Sequence, residues 1–390
     1  MLTRTFKDKE LSLLGFGLMR LPQKDGKIDQ ELVEKMADYA LSHGVNYFDT
    51  AVPYHAGLSE KVIGDILKKY PRESFYLADK FPGHQIAESY DPAAVFEAQL
   101  KKCGVEYFDF YLLHNVYENS IHTYLDKRWQ IPEYFIEQKK LGRIKHLGFS
   151  THGGLDVMEK WLSLYGEHME FCQIQLNYLD WTLQQGKEKV ALLNKHNIPI
   201  WVMEPVRGGK LCDLPREDAE KLLSLRPDET QAAWGFRFLQ DVPGVTMILS
   251  GMSNMAQMED NVKTFSTEKP LTAEAKALVL SVAEKMKSSV PCTSCRYCTD
   301  GCPMELEIPK LLSILNEVRI APSVNAGMRV EAMERKPKDC ISCYHCSRMC
   351  PQHIDIPAAL RELDGLLGKI PSWADISRQR EEEYKRSLAE

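Results

Sequence analysis

The strongest constraint in this sequence is a run of cysteines written twice. Eight of the eleven cysteines lie between Cys292 and Cys350. Cys292, Cys295, Cys298 and Cys302-Pro303 return 48 residues later as Cys340, Cys343, Cys346 and Cys350-Pro351. The register outlasts the cysteines, because Ile308-Pro309 returns as Ile356-Pro357. Cysteine this dense in a chain of 390 residues reads as metal ligation rather than as disulfide. A pair of zinc sites is the plain alternative, since paired Cys-x-x-Cys motifs would supply four ligands. A third cysteine at the same gap, and the Cys-Pro step, have no purpose in a four-cysteine zinc site. The opening residues MLTRTFKDKE hold no apolar stretch, so we expect no secretory signal and a reducing cytoplasm. Cys103, Cys172 and Cys212 are scattered and fall outside the pattern.

The run Cys-x-x-Cys-x-x-Cys-x-x-x-Cys-Pro is the bacterial ferredoxin pattern. Three thiolates converge on one 4Fe–4S cluster, and the fourth, beyond a turn, reaches the other cluster. On that logic one cluster takes Cys292, Cys295, Cys298 and Cys350, and the other takes Cys340, Cys343, Cys346 and Cys302. Helical patterns at 309–319 and 326–334 separate the two loops. Residues 291–390 therefore resemble an α-helical ferredoxin-like domain with two clusters. The charge-rich stretch 377–390 is expected to be a solvated helix or frayed end.

A chain this long needs more than one core. In residues 1–290 short apolar runs alternate with helical patterns. Strands are predicted at 13–18, 47–49, 75–80, 108–114, 144–150, 171–176, 199–204 and 246–249. Amphipathic helices are predicted at 30–43, 59–69, 92–103, 155–164, 187–196 and 255–265, with a further helix at 273–287 leading out of the barrel. Eight alternations, with no Gly-rich dinucleotide fingerprint after the first strand, favour an α/β (β/α)8 TIM barrel over a doubly wound sheet. Long loops are expected at 115–130 and 205–228, on the rim where barrel enzymes keep their sites. The net charge of -6 argues against nucleic acid as a partner. No apolar run is long enough for a membrane span.

Four side chains stand near the ends of consecutive predicted strands. Asp49 ends the second, Tyr54 follows it, Lys80 ends the third and His114 ends the fourth. A Lys80 cation held by Asp49 would lower the pKa of Tyr54 from about 10 and let it give up a proton. His114 would orient a carbonyl.

The segments Leu14-Gly15-Phe16-Gly17-Leu18-Met19-Arg20, Phe48-Asp49-Thr50-Ala51 with Tyr54, and Gly57-x-Ser59-Glu60-x-x-Ile63-Gly64 resemble aldo/keto reductases. So do Lys80, Leu112-Leu113-His114, and Gly142-Arg143-Ile144 with Gly148-Phe149-Ser150. The resemblance runs from about residue 4 to residue 265, and the cysteine domain resembles the iron–sulfur branch of that family. It implies that Asp49, Tyr54, Lys80 and His114 form a catalytic tetrad, with Tyr54 as general acid and NAD(H) or NADP(H) as hydride donor. It also implies that Ser150 and Gln173 bind the nicotinamide carboxamide and that Met203 takes the place of a stacking aromatic. Gly208 and Gly209 would offer N–H groups to the pyrophosphate, with charge from Arg207 or Lys210. Asp260 and Asn261 would lie at the adenosine end. Gly251 and Gln257 stand where the family usually has the cations that clamp a 2′-phosphate. Thr151 stands where many members have Asn.

The expected function is reduction of a small aldehyde or ketone, or oxidation of the alcohol. One alternative is an electron-transfer enzyme served by a ferredoxin-like partner. Another is a regulatory subunit with structural clusters. A nicotinamide gives two electrons together and a cluster takes one, so the barrel and the clusters are expected to work independently. A flavin is the alternative coupler. His55, Tyr117, Trp129 and Trp181 are the substrate-pocket candidates.

Overall fold

The computed structural model describes residues 1–85, 89–118, 120–286, 290–320, 324–331 and 333–371. The charged stretch at 377–390 lies outside them, as do Lys287 and Ala332 within two of the predicted helices. By packing, the chain divides into two units, Met1–Val282 and Ala283–Glu390.

The first unit is a closed barrel of eight parallel strands. They are β1 (Leu14–Gly17), β2 (Tyr47–Asp49), β3 (Tyr76–Phe81), β4 (Phe108–Leu113), β5 (Ile144–Thr151), β6 (Cys172–Gln175), β7 (Ile200–Met203) and β8 (Val245–Ser250). They pair in chain order around the ring, and β8 closes on β1 through Leu249 against Gly15. Each begins and ends within one residue of its sequence prediction. The strands are almost wholly buried, because helices cover one face and the barrel core the other. β4 and β7 are accordingly largely apolar, whereas β3 carries Asp79 and Lys80, β5 Lys145 and His146, and β6 Gln173 and Gln175.

Helices return the chain between strands. Pro92–Cys103 starts on the Asp91 side chain, which accepts from Ala94 N, and stops at Gly104 in the left-handed region. The stretch 205–228 is not a plain loop, as expected from sequence. It folds into a turn at Arg207–Cys212 and a helix at Arg216–Leu225. Charge hides that helix, since only Asp218 and Leu222 are buried in it. A short helix, Ile121–Leu125, also interrupts 115–130.

A hairpin that the sequence did not announce, Thr3–Phe6 paired with Lys9–Ser12, precedes the barrel. Its Phe6 is buried and packs on Phe110, His146 and Trp201, with ring centroids 5.6, 5.0 and 5.1 Å away. Phe6 thus plugs the barrel core. Phe6→Ala should destabilise the protein by about 3–5 kcal/mol, the usual cost of emptying a buried aromatic site. The check is a lower urea midpoint at an unchanged m-value.

The second unit is helical. Ile308–Ile320 and Ile356–Leu367 occupy the two repeats at the 48-residue offset and pack through Leu311, Leu315, Leu360 and Leu363. The backbone repeats as closely as the cysteines do. Ser294, Arg296 and Glu305 have positive φ (59°, 68°, 53°), and so do their counterparts Ser342, Tyr344 and His353 (55°, 59°, 50°). Alternating left-handed residues turn successive N–H groups toward one concavity, a cradle suited to an anionic group such as an iron–sulfur cluster. Among the described residues no helix is long and apolar enough to cross a membrane.

Candidate active site and cysteine loops

Asp49, Tyr54, Lys80 and His114 meet at the ends of β2, β3 and β4. Lys80 Nζ donates to Asp49 Oδ1 at 2.5 Å, to the Thr50 carbonyl at 2.8 Å and to Tyr54 Oη at 3.3 Å. The Tyr54 and His114 rings stand edge to face, centroids 6.2 Å apart. Asp49 and Lys80 are buried, so their charges are held by one another rather than by water. Burial pushes Asp49 up, and Lys80 offsets only part of that. Burial also works against the Lys80 charge, but Asp49 and Tyr54 outweigh it, so the lysine stays a cation.

Tyr54 departs from expectation. Burial raises its pKa above the usual tyrosine value, and this exceeds the lowering by Lys80. The Lys80 charge alone would lower it, but desolvation outweighs that charge. His114 is driven well below the ordinary imidazole value, first by burial and then by His84, Lys80 and His152. It is neutral at pH 7, and its Nδ1 is buried with no hydrogen-bond partner among the described residues.

Residues assigned to the cofactor gather on the other half of the rim. Ser150 pairs in register with Gln173, and Gln175 with Met203. Gln173 Oε1 is a buried acceptor with no hydrogen-bond partner among the described residues, so it fits a donor such as a carboxamide NH2. Gly208 and Gly209 have φ of 64° and 95°, so the turn between β7 and its helix suits glycine at both positions. Arg207 turns inward, its Nε 3.3 Å from Oδ2 of buried Asp180, which also accepts from Gln175 and Asn177 at 2.7 Å each. Lys210 stays exposed. Gln257 accepts from Ser253 N, Asp260 from the Thr230 hydroxyl, and Asn261 donates to Ser250 Oγ.

The pocket candidates divide. His55 accepts from Leu21 N at 3.1 Å and ties two rim loops together, and Tyr117 is buried. Trp129 packs on Tyr90 and Trp181 on Phe238. Two rim residues were missed. His84 packs edge to face on His114, centroids 4.4 Å apart. Arg20 lies against both Gly208 and Gly251, its guanidinium 3.8 Å from Glu204. Arg20 ends the Leu14–Arg20 segment that carries the family resemblance, but nothing in that segment or around His84 assigns either side chain to the rim, where the closed ring brings them.

In the second unit, Cys292, Cys295 and Cys298 line a small cavity together with Cys350 of the other repeat. Burial pushes the Cys298 thiol up to about 12, and Cys292, Cys295 and Cys350 add to the shift. Burial likewise raises Cys346, with Cys340, Cys302 and Cys343 as its thiol neighbours. Cys350 thus lies beside the first three cysteines of the other repeat, and Cys302 neighbours Cys346. Among the described residues no three His, Cys, Asp or Glu side chains converge as one metal ion requires. Four cysteines around one cavity suit the donor set of a 4Fe–4S cluster, in which each sulfur binds its own iron.

A closed parallel barrel with a buried Lys–Asp pair beside tyrosine and histidine at its C-terminal rim defines a barrel oxidoreductase. Residues 13–284 match the Aldo/keto reductase family, to which this chain belongs, and residues 291–354 match a 4Fe-4S dicluster domain. Over 301 residues the chain is 24% identical to "Uncharacterized oxidoreductase YqkF" of Bacillus subtilis (strain 168), covering 70% of this chain and 92% of that protein. It is 26% identical over 224 residues to "NADH-specific methylglyoxal reductase" of Escherichia coli (strain K12), covering 52% of this chain and 66% of that one. The holo form of aldo-keto reductase AKR11C1 from Bacillus halodurans has a TM-score of 0.58 at 27% identity, with 72% of this chain and 95% of that one covered. An aldo/keto reductase from Klebsiella pneumoniae in complex with NADP and acetate shares the fold, with a TM-score of 0.59 at 20% identity, covering 71% of this chain and 93% of that one.

Proposed function

We propose that the barrel reduces a small aldehyde or ketone, or oxidises the alcohol, with a nicotinamide dinucleotide, and that the second unit carries two 4Fe–4S clusters. The observation that supports the first part is Lys80 Nζ joined to both Asp49 and Tyr54 beside neutral His114. In this reading Tyr54 Oη donates a proton to the carbonyl oxygen as negative charge develops there. Lys80 stabilises the tyrosinate left behind, and Asp49 fixes Lys80 in position. His114, uncharged, orients the carbonyl oxygen without competing for the proton. Ser150 and Gln173 would hold the carboxamide, Met203 would pack on the ring, and Gly208 with Gly209 would receive the pyrophosphate. A dinucleotide held by these residues would supply the hydride for carbonyl reduction. Steady-state turnover with a panel of aldehydes and NADH tests this; no turnover of any carbonyl would overturn it.

NADH should be accepted at least as well as NADPH. Gly251 and Gln257 give a 2′-phosphate no charge-assisted hydrogen bond, and Arg207 is engaged with Asp180. Competitive binding of the two dinucleotides decides the matter. Exclusive NADPH binding that Arg20→Ala removes would make Arg20 the phosphate clamp instead.

A further inference from the structure

The two cysteine loops share a backbone but not a surface. Around the second, Ile341, Tyr344 and Met349 are exposed by 60%, 41% and 42%. At the same offset the first loop carries Thr293, Arg296 and Gly301. Three large apolar side chains within nine positions, all open to solvent, form a denser group than the exposed large apolar side chains elsewhere in the described residues, which are single or, at Leu223 and Leu225, paired. They also sit among ligand candidates, and Cys343 between them is itself exposed.

Charge differs in the same sense. Exposed Lys338 and Arg348 flank the second loop, and Arg361 reaches it by donating to Ser342 Oγ at 3.1 Å. Nearby Asp339 accepts from Lys336 N and so is partly taken up by the backbone. Around the first loop Arg296 is paired with Glu307, and Asp300 and Glu305 add negative charge. An apolar centre with a cationic rim is therefore built at one loop only, in a chain whose net charge is -6.

We propose that Ile341, Tyr344 and Met349 form the docking face for an acidic one-electron carrier protein, which exchanges electrons with the cluster held by Cys340, Cys343, Cys346 and Cys302. The proposal rests on the two-cluster reading of this unit and not on the barrel site. Apolar side chains at the centre exclude water and shorten the path to the cluster, while the cations orient an acidic partner and speed encounter. One electron leaves the reduced carrier and one enters the cluster, with no bond made or broken.

The test uses anaerobically purified full-length protein and reduced acidic plant-type 2Fe–2S ferredoxin, with flavodoxin as a second probe. Iron is assayed first; its absence would refute the cluster reading, which is a separate failure. The triple variant Ile341→Ser, Tyr344→Ser, Met349→Ser should bind at least about tenfold more weakly. Cluster bleaching by the carrier should slow by a similar factor, while bleaching by dithionite stays the same. Arg348→Glu should weaken binding, and the wild-type affinity should fall with salt. Leu223→Ser with Leu225→Ser, exposed apolar residues of the first unit, should change nothing. Iron-replete protein that binds neither carrier, or binds them equally well after the triple substitution, overturns the proposal. So does a native dimer that the triple variant dissolves, because the face would then belong to a second copy of this chain.

Discussion

Tyr54→Phe is expected to lower carbonyl turnover by roughly 100-fold or more while leaving dinucleotide affinity nearly intact. The substitution removes only the hydroxyl that receives Lys80 Nζ and keeps the ring that faces His114. Lys80→Met should be as severe, because it removes the cation that stabilises the deprotonated tyrosine and strands Asp49 in a buried position. The pH dependence follows from the same geometry. An acid must be protonated to act, so reduction is present below the Tyr54 pKa and is lost as pH rises through it. Burial lifts that pKa above the usual tyrosine value, so the loss should lie on the alkaline side of about 10. A kcat/KM profile for reduction that fell between pH 7 and 8, or full activity in Tyr54→Phe, would place the acid elsewhere.

Cys298→Ala and Cys346→Ala should each remove roughly half of about eight irons per chain and half of the brown absorption. Both side chains are buried within the core of the second unit, so the loss should also lower its melting temperature. The crosswise cavity makes a sharper demand. Cys350→Ala, though it lies in the second motif, should remove the cluster of Cys292, Cys295 and Cys298. Cys103→Ser, Cys172→Ser and Cys212→Ser should leave iron unchanged. Stoichiometric zinc in the wild-type protein, with no visible absorption, would sink the assignment.

What was readable from sequence follows from what each element needs. β4 is buried throughout, and Phe108–Leu113 writes it as an apolar run broken only by Asp109, whereas β5 mixes Ile144, Leu147 and Phe149 with exposed Lys145 and buried His146, Ser150 and Thr151. The cysteine spacing is readable because ligand chemistry admits few substitutes. The hairpin that carries Phe6 is not, since Thr3–Phe6 holds one buried side chain among polar ones. Asp49, Lys80 and His114 could be placed at strand ends by counting alone, but their protonation could not. Desolvation depends on what encloses the site, and nothing in the local sequence measures that. His84 and Arg20 belong to the same category, brought to the rim by closure of the ring. The left-handed residues of the cysteine loops were equally hidden, because Ser294, Arg296, Ser342 and Tyr344 are not glycines.

If Cys302 and Cys350 each serve the cluster of the other loop, as the two-cluster reading proposes, the repeat bears the mark of a duplication. One copy of the motif closes three corners of its own cavity and exports the fourth. Such a half is incomplete by itself, yet two identical halves facing each other about a twofold axis complete both cavities at once. The fused repeat is therefore equivalent to a symmetric homodimer whose subunits have been joined by residues 321–339. Once joined, the halves no longer need to be alike, and each loop is free to acquire its own outer surface while the interlocked cysteines hold the shared interior fixed.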